Sequence, residues 1–209
     1  MIVPRMPDPQ VDLPDPSGTE SFGAALSEPE VTHRGPVFSV ERLRVPIAGG
    51  DGVRIRDVVR HPGAVAVIAQ RDDGALVLVR NRRVAVDRWL VEFCAGKLEP
   101  GPASQGGRED PALAAARELE EETGYRASRI ESLGWFYTSP GFADERMHVF
   151  LATGLVPVPQ RLEPGEELEV VVMDEPSLRE AIVRGEVVDG KTLGAYLLWT
   201  LRRAEATHE

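Results

Sequence analysis

Apolar and polar residues alternate along PVFSVERLRVPI (36–47) and again along VRIRDVVRH (53–61), with the turn-forming AGGDG between them. That period of two is the pattern of half-buried strands joined as a hairpin. AVAVIAQ (64–70), RDDG (71–74) and ALVLVR (75–80) repeat the arrangement, but with unbroken apolar runs that predict strands covered on both faces. WLVEFCAG (89–96) reads as a further short strand ending at glycine.

The period changes after the Gly/Pro-rich stretch 99–108. Asp110 is a good N-cap, Pro111 fits a first helical position, and PALAAARELEEET continues in strong helix formers until Gly124. Strands are predicted at 129–138, 145–155 and LEVVVM (168–173). Asp174 and Pro176 begin a short helix, and TLGAYLLWTLRRA (192–204) makes the last one. Many strands with three helices, and no regular βαβ alternation, predict an α/β protein with a mixed sheet between helices. Trp89 and Trp135, beside apolar neighbours in strands, are expected in the core.

Residues 1–36 hold seven of the 17 prolines and little apolar periodicity, so they read as a disordered or extended leader. No apolar run approaches the ~20 residues of a membrane span, and the N-terminus has no basic start before an apolar stretch. A cytoplasmic location without a membrane partner is the expectation. A net charge of −10 argues against a nucleic-acid partner. One cysteine, Cys94, excludes an internal disulfide; with no histidine near it in sequence, it reads as a buried structural thiol.

Glu118, Glu121 and Glu122 are three and four residues apart, which puts their carboxylates on one face of a regular helix. Such a face is either solvated charge or a holder of hard cations, which take oxygen ligands. The order of residues bears on the choice. Seven residues separate Glu109 from Arg117-Glu118-Leu119-Glu120-Glu121-Glu122-Thr123-Gly124-Tyr125. This resembles the Nudix box: glycine, five residues, glutamate, seven residues, then Arg-Glu-aliphatic-any-Glu-Glu-any-Gly-aliphatic. Tyr125 is an aromatic substitute at the last position, and Gly96 precedes Glu109 by twelve residues rather than five, the surplus being PASQGGR (102–108).

The resemblance extends over roughly residues 37–200, and several segments look like the ADP-ribose pyrophosphatase branch: His61–Val65, Glu92–Glu99, Ser139–Phe142 with Asp144-Glu145, and Gly185–Thr192. It implies a Nudix-like α/β/α sandwich at 61–209, preceded by strands at 37–60 that dimerise and help bind the base. It implies Mg2+, with Mn2+ or another divalent cation in its place, on Glu118, Glu121, Glu122, Glu166 and the Ala95 carbonyl. Glu109 and Arg117 would be a supporting salt bridge, with Gly96 and Gly124 shaping the backbone. Glu166 is the first choice of base, with Glu163 and Glu167 behind it and Glu121 alongside. Arg82, Glu92, Pro140 and Gly141 would contact substrate; Pro140 stands fifteen residues past Tyr125, where the branch's ADP-ribose-associated proline falls.

The implied activity is hydrolysis of ADP-ribose to AMP and ribose 5-phosphate by a homodimer. Two alternatives stand beside it. One is a pyrophosphohydrolase for another nucleotide sugar or dinucleotide, such as GDP-mannose, a UDP-sugar or NADH. The other is a catalytically silent nucleotide-sensing module, from which loss of box glutamates would be expected.

Overall fold

A computed structural model describes residues 28–47, 50–102 and 107–206. Strands β1 (Glu30–Arg34), β2 (Ser39–Pro46) and β3 (Val53–Arg60) form a separate antiparallel sheet in that order. The second hairpin and later strands are β4 (Ala64–Gln70), β5 (Leu76–Arg83), β6 (Arg88–Glu92), β7 (Cys94–Lys97), β8 (Tyr125–Tyr137), β9 (Arg146–Pro157) and β10 (Leu168–Met173). They build a seven-stranded sheet ordered β10-β5-β4-β9-β8, with β6 beside β5 and β7 beside β4. Only β4 and β9 run parallel; the other pairs are antiparallel, so the sheet is mixed.

Helices α1 (Pro111–Glu118), α2 (Glu175–Val183) and α3 (Gly190–Ala206) cover its two faces. The alternation along β4 sorts them. Val65, Val67 and Ala69 pack with Ala114, Ala115 and Leu119 on one side. Ala64, Ala66 and Ile68 pack with Leu178, Ala181, Ala195 and Trp199 on the other. Every apolar position of this strand is therefore buried, Val65, Val67 and Ile68 contributing about 1.5–3 kcal/mol each and the alanines less. The result is an α/β/α sandwich.

Three details depart from the sequence reading. The first sheet begins at Glu30, inside the segment read as leader; residues 1–27 of that leader, and 103–106 of the surplus loop, lie outside the described residues. The single strand expected at 89–96 is two strands with different partners. Between them the Phe93 N–H donates to Thr192 Oγ1 at 3.0 Å instead of to a neighbouring strand. Finally, Trp89 and Trp135 are not core residues. Trp89 is exposed beneath the Arg80 guanidinium, and Trp135 is half-buried beneath that of Arg146. The fully buried tryptophan is Trp199.

Candidate active site

The Asp110 carboxylate accepts from the Ala112 and Leu113 N–H groups and starts α1 with Pro111 in its first turn. From Leu119 to Thr123 the helix continues as one π-helical turn, ended by Gly124 at φ 68°. Its i→i+5 bonding widens the turn and disturbs the spacing that would put three carboxylates on one face. Glu118 and Glu122 face a cleft of about 520 Å³, a volume typical of small-molecule sites. Glu121 turns aside to Arg117, at 3.0 Å, and is absent from the cleft lining.

Arg117 is the hub of the helix. Its guanidinium bonds both oxygens of Glu109 at 3.1 and 2.9 Å, Glu118 at 2.8 Å and the Lys97 carbonyl at 3.2 Å. The Arg117 hydrogen bond holds Glu109 below the usual carboxylate range. Burial pushes Glu118 up, although Arg117 opposes the shift. Burial raises Glu122 further, to about 7, with Glu118 and Glu166 adding repulsion. The Ala95 N–H, on β7, donates to Glu122 at 3.1 Å. Gly96 meets Glu118 so closely that any Cβ there would overlap its carboxylate.

The turn Glu163–Glu166 closes over these groups. The Glu163 N–H donates to Glu166 Oε2 at 2.8 Å, and the Glu166 N–H to the Glu163 carbonyl at 3.1 Å. Both side chains line the cleft. Glu167 does not; it pairs with Arg82 at 3.2 Å on the exposed face of the sheet.

Cations line the cleft as well, and the arginine among them is not the Arg82 named from the sequence. Arg83 lines the cleft and Arg82 does not. Glu92, expected to touch substrate, is fully buried and instead grips Arg83 through both carboxylate oxygens. That hydrogen bond raises the Arg83 pKa. Lys191 is also in the lining, 3.7 Å from Glu92 and paired with Asp189. It entered the sequence reading only within the segment Gly185–Thr192. Strand alternation carried a signal for Arg83: Val77 and Val79 share its parity, and Val77 packs on the α1 side.

Ser139 and Thr138 line the cleft, while Pro140 and Gly141 occupy the exposed tip of the same turn and do not. The turn is tied to β3 by the Val59 N–H bond to the Phe142 carbonyl at 2.8 Å. His61 and Glu145 join the lining, and Thr138 Oγ1 donates to Glu145 at 2.6 Å.

Among the described residues, no three of His, Cys, Asp or Glu are grouped closely enough to hold a metal between them. The donor chemistry nevertheless fits a hard cation. Two desolvated carboxylates share the cleft lining with a third, and Arg117 neutralises only part of their charge. Mg2+ is commonly held in this way, by one or two carboxylates with substrate phosphates and water completing its shell.

A family model described as NUDIX domain matches residues 59–190. An ADP-ribose pyrophosphatase of Bacillus subtilis (strain 168) is 46% identical over 154 residues, covering 72% of this chain and 78% of that protein. A methanol dehydrogenase activator of Bacillus methanolicus is 43% identical over 152 residues, covering 71% and 78%. Among solved structures, an ADP compounds hydrolase superposes with a TM-score of 0.69 at 22% identity, covering 89% of this chain and 98% of that one.

Proposed function

The chain belongs to the NUDIX domain family and is a pyrophosphohydrolase of that family, and on this premise we propose that it hydrolyses the diphosphate bond of ADP-ribose. One observation carries the reading: carboxylates and cations line a single cleft together. Glu118, Glu122, Glu163 and Glu166 are in that lining with Arg83, Lys97 and Lys191. A silent sensing module would have no use for a complete set of box glutamates.

In this reading the Arg83 fork, braced by Glu92, and the Lys191 ammonium bind the diphosphate oxygens. Glu118 and Glu122, with the Ala95 carbonyl, would hold Mg2+ or a similar divalent cation. When bound, the cation supplies Lewis-acid polarisation of the diphosphate and charge stabilisation on the leaving phosphate. Glu166 accepts the proton of the water that attacks phosphorus. A new P–O bond forms as the bridging P–O bond breaks, giving AMP and ribose 5-phosphate.

The chain would act in the cytoplasm as a homodimer. Val31, Phe38, Ile47, Val53 and Ile55 of the first sheet and its flanks are exposed, an apolar surface suited to a second copy. Val37 already lines the cleft from that side.

The test is turnover of ADP-ribose, GDP-mannose, UDP-glucose, NADH and diadenosine polyphosphates, with Mg2+ and with EDTA. ADP-ribose should give the highest kcat/KM, and EDTA should abolish it. Preference for another substrate would overturn the assignment, and turnover insensitive to EDTA would overturn the cation's role.

A further inference from the structure

The last carbonyls of a helix lack intrahelical partners and need donors from elsewhere. At the end of the box helix all the donors identified outside the helix come from one place, the start of the loop between β9 and β10. The Val158 N–H donates to the Gly124 carbonyl at 2.8 Å, and the Arg161 N–H to the Glu121 carbonyl at 3.0 Å. Between them, the side-chain amide of Gln160 donates to the carbonyl of Glu122. Gly124 makes the approach possible: a Cβ there would lie 3.0 Å from the Val158 carbonyl, on a backbone already at positive φ. Two residues after Arg161 the same loop reaches Glu163 and its closed turn to Glu166.

We propose that Gln160 is a positioning residue for hydrolysis, which sets the acidic turn Glu163–Glu166 at its working distance from Glu118 and Glu122. The loop could cap the helix with backbone groups alone; a side-chain amide fixes it laterally at the residue whose carboxylate faces the cleft. Gln160 itself is exposed and absent from the cleft lining, so it acts through the loop. A misplacement of about 1 Å at a reacting group can lower a rate by about 100-fold.

The proposal rests on the reading of Glu166 as the base, and a double-mutant cycle separates the two. Gln160→Ala should lower kcat about tenfold, leave KM within about twofold, and lower the thermal midpoint by no more than about 5 °C, the worth of one hydrogen bond. Gln160→Glu, which replaces the donor by an acceptor, should lower kcat further. In a Glu166→Gln background, Gln160→Ala should cost less than about twofold, because the group it positions is gone. A tenfold loss in both backgrounds, or a wild-type kcat for Gln160→Ala, overturns the proposal. Wild-type turnover by Glu166→Gln alone instead overturns the choice of base, and the positioning role is then decided by the kcat of Gln160→Ala.

Discussion

Gly96 and Glu118 occupy the same space to within the volume of one methyl group: a Cβ on the glycine would overlap the glutamate's carboxylate. The strand β7 and the helix α1 are thus packed so that only hydrogen fits between backbone and acid. Gly96→Ala should expel the Glu118 carboxylate from its place beside Arg117. We expect at least a 100-fold fall in kcat/KM, with a stability loss of about 1–3 kcal/mol from overpacking. Steady-state kinetics with urea denaturation checks both, and a variant within threefold of wild type would show that Glu118 works from more than one position.

Glu122 sits where burial works against its charge. Burial lifts its pKa to about 7, from an ordinary 4.5, so the folded state disfavours the charged form. An acid raised in this way loses stability as pH climbs from its unfolded to its folded value. Glu122→Gln removes that loss and keeps an oxygen for the Ala95 N–H. In metal-free buffer the variant should match wild type near pH 4, gain between about pH 4.5 and 7, and stay more stable above. Its activity should fall at least 100-fold, the familiar opposition of stability and catalysis. A lower melting temperature than wild type at pH 8 would contradict this account.

How much of this was legible beforehand depended on whether the signal was local. The start of α1 at Asp110-Pro111 and its stop at Gly124 were readable because capping acts over two or three residues. The two faces of β4 were foreseen from its unbroken apolar run, since only a doubly covered strand can bury every residue. The split at Phe93 was not, because its cause, Thr192, lies 99 residues away. Nor was the π-helical turn, within which Glu121 lies off the cleft lining: nothing in the letters Leu119–Thr123 distinguishes i→i+5 from i→i+4 bonding. The motif singled out Glu118 and Glu122, which line the cleft, but which arginine joins them depends on which side of β5 meets α1.

The cleft distinguishes two adjacent arginines. Arg83 faces the cleft on a buried carboxylate, and Arg82 faces out toward Glu167. Truncating Arg83 would leave Glu92 buried without its principal partner, a loss of about 3–5 kcal/mol. The comparison is therefore best made with lysine, which keeps the charge and loses the fork. Arg83→Lys should raise KM for ADP-ribose at least tenfold, whereas Arg82→Lys should change it less than twofold. Equal effects at both positions would mean that Arg82 reaches substrate after all, for instance across a dimer.

Asp189 supplies the opposite pH signature to Glu122. It is the residue before α3, and its Oδ2 accepts from the Thr192 N–H at 2.9 Å and the Thr192 hydroxyl at 2.8 Å. Burial alone would raise its pKa, but Lys191 and Thr192 outweigh burial and hold it below the ordinary 3.8. A carboxylate depressed on folding contributes stability above its unfolded pKa and loses it as pH falls through the folded value. Asp189→Ala should therefore cost about 1–2 kcal/mol at pH 7, the worth of a helix N-cap with an added charge contact. That difference from wild type should shrink progressively below about pH 4. The same substitution leaves Lys191 with only its longer contact to Glu92, so KM for ADP-ribose should rise at neutral pH. Urea titrations from pH 7 down to pH 3 decide it: a stability difference constant over that range would mean that the Asp189 charge adds nothing to the cap.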